Sequence, residues 1–205
     1  MTGDWVDRTV FEIYEQAGCD PRRGATGPEL ALRLMGNDCL RRFPSDRFST
    51  RAFTTNTAGR TFIHVPSGLA GWRLNHRVSH AVGEWYLTKR GHPSTVVQAL
   101  SRQLSAALCV PTPAFLLTRR GRGDDLSVLS QRFRVSESLM ALRMAECDGC
   151  PTALRTPHKI IVRGDSWQWP QAAQDWEDLF RRAHVIGLVV RHLRDARGRL
   201  VVYAA

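Results

Sequence analysis

Residues 51–65 read RAFTTNTAGRTFIHV, and this stretch decides the fold class. Two short runs rich in Thr, Phe, Ile and Val flank the turn-forming Asn56-Thr57-Ala58-Gly59, a pattern that predicts a β-hairpin. On either side of it the apolar spacing is helical. Val6, Val10, Ile13, Tyr14 and Ala17 recur on one helix face, with Gly18 placed to end that helix. Thr26-Gly27-Pro28-Glu29 is a helix start signal, and the run through Leu30, Leu34 and Met35 to Gly36 gives a second helix expected to pack on the first. A polar, Pro-containing connection leads to the hairpin. Beyond it, helices are expected over 69–89 and 95–108, then a short one at Phe115 and Leu116. A hairpin set into a helical series makes the chain α+β.

After the turn RRGRGDD, Leu126, Leu129 and Phe133, then Val135, Leu139 and Leu142, predict two short helices broken at 134–136, a helix-turn-helix pattern. Arg132, Arg134 and Arg143 are its candidate phosphate contacts, with Ser136 or Ser138 at the start of the second helix. The other reading is a scaffold element that packs on the first part of the chain. From residue 151 the texture changes. IIVRGDSWQW, GLVVRHL and RLVVYA read as strands around a helix at 171–183, and Trp167, Trp169 and Trp176 are expected to fill the core of this small α+β unit.

A chain of 205 residues with 43% hydrophobic content can bury a substantial core. Its first residues lack the pattern of a signal peptide, and the apolar run at 185–190 is too short to span a bilayer, so a cytoplasmic protein without a membrane partner is expected. Five cysteines, an odd number, are most simply reduced thiols; Cys147 and Cys150 form one C-x-x-C, either a metal or redox pair or two small thiols in a turn. The formal charge of +10 admits nucleic acid or an acidic partner. Its dispersal, with no run of five or six like charges, is not that of a dedicated nucleic-acid tail.

Residues 75–87, NHRVSHAVGEWYL, carry the candidate chemistry. In an H-E-x-x-H helix two histidines one turn apart hold zinc and the glutamate between them takes a proton from bound water. Here the matching positions are His80, Ala81, Val82, Gly83 and Glu84: one ligand, no base, and a carboxylate for the second histidine. Residues 85–123 contain neither Asp nor Glu, so the following helix offers no third carboxylate. A second register places His76 and His80 four residues apart, with Glu84 four further on, as a possible His, His and Glu set.

Four pieces in order, TFIHV, VSHAVGEWYL, LSRQLSAALCVP and LSQRFRVSESLMALRM, resemble the ImmA/IrrE family of bacterial and phage metallo-endopeptidases over roughly residues 10–145. The resemblance implies a zincin-like domain over 1–118 and a helix-turn-helix-like segment over 119–150; the small α+β C-terminal unit over 151–205 is read from its change of texture and not from the resemblance. Members of that family cleave helix-turn-helix repressors. Carried over by position, His80 matches the first zinc ligand, Ala81 the general base and Glu84 the second histidine ligand, while residues 95–101, TVVQALS, offer nothing for the third. Loss of a base alone costs about 10²- to 10⁴-fold in rate. The expectation is a degenerate, non-catalytic member that binds a partner such as a helix-turn-helix repressor, with zinc absent. Two alternatives stay open: an active zinc peptidase holding metal through His80, Glu84 and His76, and a DNA-binding regulator acting through 124–145.

Overall fold

The computed structural model describes residues 2–44, 52–123 and 125–147, and four further strands at 152–155, 160–163, 190–194 and 200–204. The described chain is mixed α+β and mostly helical, and divides into two compact units, Met1–Ser136 and Glu137–Ala205. The division lies inside the segment 119–150 that the sequence pattern sets apart as helix-turn-helix-like.

In the first unit the start and stop signals act as read. Helix α1 (Thr2–Gln16) is closed by Gly18 at φ +61°, where the Cys19 amide donates to the Tyr14 carbonyl at 2.9 Å. Helix α2 (Gly27–Met35) opens on Thr26, whose hydroxyl accepts from the Glu29 amide at 3.3 Å, and ends at Gly36 with φ +96°. The connection expected to be irregular instead contains β1 (Leu40–Phe43), which pairs in parallel with β3 (Arg60–Pro66). Strand β2 (Phe53–Thr57) pairs antiparallel with β3, giving the order β1-β3-β2. The hairpin turn is tighter than the sequence implied. Asn56 and Thr57 stay in the ladder, and the bend falls on Ala58 and Gly59 at φ +49° and +75°.

Side chains alternate across this sheet. Ile63 and Val65 point into the core, where they join α1, α2, α3 (Gly71–Lys89) and α4 (Ser94–Cys109) through Val10, Ile13, Leu30, Val78, Val82, Leu104 and Leu108. Each such side chain, fully buried, contributes about 2 kcal/mol. Tyr14 is buried among them; its hydroxyl donates to the Leu108 carbonyl at 2.8 Å and accepts from the Ala25 amide at 2.9 Å. Burial raises its phenol well above the ordinary tyrosine range.

Asn75 ties distant parts of the unit together. Its side-chain oxygen accepts from the Gly27 amide at 2.7 Å, and its amide nitrogen donates to the Phe133 and Arg134 carbonyls at 3.1 Å each. Helix α5 (Thr112–Arg122) is longer than the short helix expected, and Thr112 at its start donates to Asp7 of α1 at 2.8 Å. Helix α6 (Leu126–Phe133) is capped by Asp125 and closes on Arg134, which stands left-handed at φ +50°.

The second unit contains α7 (Glu137–Cys147) and a sheet in which every pairing is antiparallel, in the order β5-β4-β7-β6. Strand β5 (Ile160–Arg163) lies within IIVRGDSWQW, and β6 (Val190–Arg194) and β7 (Leu200–Ala204) answer to GLVVRHL and RLVVYA. Strand β4 (Thr152–Arg155) was not anticipated. The helix expected at 171–183, Trp167, Trp169 and Trp176, and Cys150 lie outside the described residues.

Candidate functional site

Helix α3 carries the motif and lies against α4. At Gly83 an added Cβ would stand 3.5 Å from the Leu104 Cβ and 3.7 Å from the Ser101 Cα, so the two helices are in van der Waals contact there. Beside this contact, His80 and Glu84 occupy successive turns with Nε2 and Oε1 3.9 Å apart; both side chains are partly exposed, at 23% and 31%. The His80 Nδ1 atom is buried and has no hydrogen-bond partner among the described residues. Burial lowers the basicity of His80, Glu84 opposes that shift, and Arg77 and Arg102 reinforce it. The imidazole is thus biased toward its neutral form beside a carboxylate.

His76 faces α4 instead. Its Nε2 lies 3.3 Å from the Ser105 hydroxyl, which itself donates to the Arg102 carbonyl at 2.9 Å, so Nε2 serves as the donor to serine. Burial first, then Arg77 and His80, lower its pKa from 6.5 to about 4. In the second register, His76 is thus engaged with Ser105 on α4. Among the described residues no group of three or more His, Cys, Asp or Glu side chains converges as a metal would require. Catalytic zinc takes three protein ligands. His80 and Glu84 offer two, so the described residues do not fit the ion.

Ala81, at the position of the missing base, is 3% exposed and belongs to the apolar core with Val78 and Val82. One residue on from His80 is a rotation of about 100° around the helix, enough to turn the position from the partly open face to the interior.

The arginines assigned to phosphate contact separate. Arg132 and Arg134 are exposed; Arg132 donates to the Arg23 carbonyl at 3.4 Å. The Arg143 side chain, in contrast, is only 6% exposed and donates to Glu146 at 2.8 Å. Ser138 is buried and Ser136 half-buried.

Sequence reasoning also passed over the outer face of the first sheet. Phe53 stacks on His64 with ring centroids 4.8 Å apart and planes 7° from parallel, and the Arg41 guanidinium lies 3.9 Å above the Phe62 ring. The period-2 alternation of FTTNT and RTFIHVP, set in register, was the signal that could have found them.

No protein-family model and no curated protein matches the chain. No helix among the described residues is long and apolar enough to cross a membrane. Among solved structures the chain is similar to a Mycobacterium tuberculosis transcriptional regulator, with a TM-score of 0.55 and 12% identity over 97% of this chain and 87% of that one, a likeness of fold.

Proposed function

We propose that this chain is a regulatory protein built on a degenerate ImmA/IrrE-like, zincin-like domain, and that it binds a protein partner without cleaving it. The observation that carries the reading is the α3 face itself. His80 and Glu84 persist as a partly open polar pair while the base position, Ala81, is packed into the core. A pair of this kind can recognise a polar group, because the His80 and Glu84 side chains are 23% and 31% exposed and offer a hydrogen-bonding imidazole beside a carboxylate. The resemblance makes a helix-turn-helix repressor the favoured partner, met in the cytoplasm. The transcriptional regulator of similar fold is compatible with a regulatory role.

The test mixes the purified chain with the repressor encoded beside it and measures binding by calorimetry, repressor mass by intact mass spectrometry, and zinc by elemental analysis. A complex with intact repressor is expected, without stoichiometric zinc, weakened about tenfold by His80→Ala, the effect of one lost polar contact. Repressor cut in two, with zinc retained and both lost in His80→Ala, would establish the active peptidase instead.

Arg132 and Arg134 support a second reading as a DNA-binding regulator, because both stay exposed near the end of α6. A duplex mobility shift with steep salt dependence, abolished by neutralising both, is its signature.

A further inference from the structure

The outer face of the β1-β3-β2 sheet is built from groups that stack and carry positive charge. In-register pairing places Phe53 opposite His64, Thr55 opposite Phe62, Arg41 opposite His64 and Phe43 opposite Pro66, so these side chains share one face, opposite to core-facing Ile63 and Val65. Phe53 is 47% exposed although one side of its ring lies on His64, and Phe43 stands against it with centroids 5.6 Å apart at 53°. The Thr55 hydroxyl bonds the His64 Nε2 at 2.9 Å, which fixes the plane of the imidazole beneath Phe53. Beside this stack, Phe62 is overlaid by Arg41 at 3.9 Å and approached by Arg60 at 5.8 Å. Three of the chain's eight phenylalanines lie in these strands, with three arginines and no Asp or Glu. Asp38 reaches Arg60 at 3.7 Å, but both side chains are largely exposed and such a pair exchanges readily for another anion.

We infer that this face binds single-stranded nucleic acid. Phe53, the exposed ring of the three, backed by half-buried Phe43 and His64 while Phe62 is covered at 8% exposure, is costly unless it meets something, and bases present flat π-faces to it regardless of sequence. The Arg41 guanidinium, 3.9 Å from the Phe62 centroid and exposed, keeps N–H groups available for phosphate. Free of carboxylates, the three strands attract a polyanion and repel nothing on it. Duplex is a poorer match, because its bases are stacked on one another and hidden from the rings. This surface is distinct from the His80 face and from Arg132 and Arg134, so the inference stands apart from the reading above.

The experiment titrates the full chain into fluorescein-labelled dT20, U20 and a 20-base-pair duplex and follows anisotropy at several salt concentrations. Both single strands should bind more tightly than duplex, and the dT20 and U20 arms separate DNA from RNA as the preferred source. Phe53→Ala should weaken single-strand binding about tenfold, the loss of one stacking contact, while Phe53→Trp retains it. Arg41→Gln should weaken it and reduce the salt slope by about 0.7, one phosphate contact fewer on a single strand. Arg132→Gln with Arg134→Gln should leave it unchanged. Circular dichroism melts confirm that each variant folds. Equal affinity of Phe53→Ala and the parent, a preference for duplex, or no binding to any oligonucleotide would overturn the inference, the last leaving the face to a protein partner.

Discussion

At Gly27 an added Cβ would lie 2.5 Å from the Asn75 carbonyl oxygen, the Ser79 amide nitrogen and the Ser79 hydroxyl, two of them backbone atoms of α3. Glycine there is a requirement of helix approach. Gly27→Ala should cost about 3 kcal/mol, the upper part of the range for overpacking, read as a shift in denaturant midpoint. The opposite sign is expected at Ala58, which holds a left-handed φ of +49° in the hairpin turn. Ala58→Gly should stabilise by about 0.5–1 kcal/mol, because glycine adopts that conformation without the Cβ clash. His76 sets a pH dependence whose sign follows from its depressed pKa. The unfolded chain takes up a proton near the ordinary value of 6.5, whereas the folded chain does so only near 4. Stability is therefore fully present above the unfolded value and falls as pH drops from 6.5 toward 4, by up to about 3 kcal/mol. His76→Gln should flatten that slope in urea titrations between pH 7.5 and 4.5. Sequence pattern could align His80 with a ligand position, but it could not separate His80 from His76 by environment. That difference comes from burial of His76 against α4, where it meets Ser105, twenty-nine residues downstream.

Helices proved more legible than strands, for a physical reason visible in particular segments. The signals that bound α2, Thr26 and Gly36, lie within or beside the helix and act locally. Strand β1, with the sequence LRRF, has no local reason to be extended; its partner β3 begins about twenty residues later and supplies the hydrogen bonds. Strand β4 is a partial case: it pairs locally with β5, from which four residues separate it, but its other neighbour, β7, is distant in sequence. The contact of α3 with α4 makes a discriminating test. Gly83→Ala should be tolerated or stabilising by about 0.5–1 kcal/mol, since its Cβ meets ordinary contact distances and alanine favours helix. Restoring a carboxylate at the old base position should instead be costly: Ala81→Glu places an unpaired charge in the apolar core and is expected to lose about 3 kcal/mol, with a lowered thermal midpoint and no gain of zinc.

For the molecule as a whole, the sequence marked the change of texture near residue 150, yet the compact units divide between Ser136 and Glu137. The reason lies in α6, whose carbonyl groups at Phe133 and Arg134 close the first unit through Asn75. No helix-turn-helix pattern reveals such a side-chain contact. A chain ending after Ser136 should retain a cooperative melt, whereas one ending after Gly123 should lose it, since the Asn75 amide would lose its acceptors and the apolar surface that Phe133 covers would be laid open. The three hydrogen bonds of Asn75 also bear on time. They join residues 48, 58 and 59 positions apart, so the chain must close long loops before any of them forms, and such contacts come late on the folding route. Asn75→Ala, losing about 2 kcal/mol, should therefore speed unfolding about thirtyfold and leave refolding nearly unchanged, a chevron displaced on one limb. One amide would then set how long the first unit stays folded rather than how quickly it gets there.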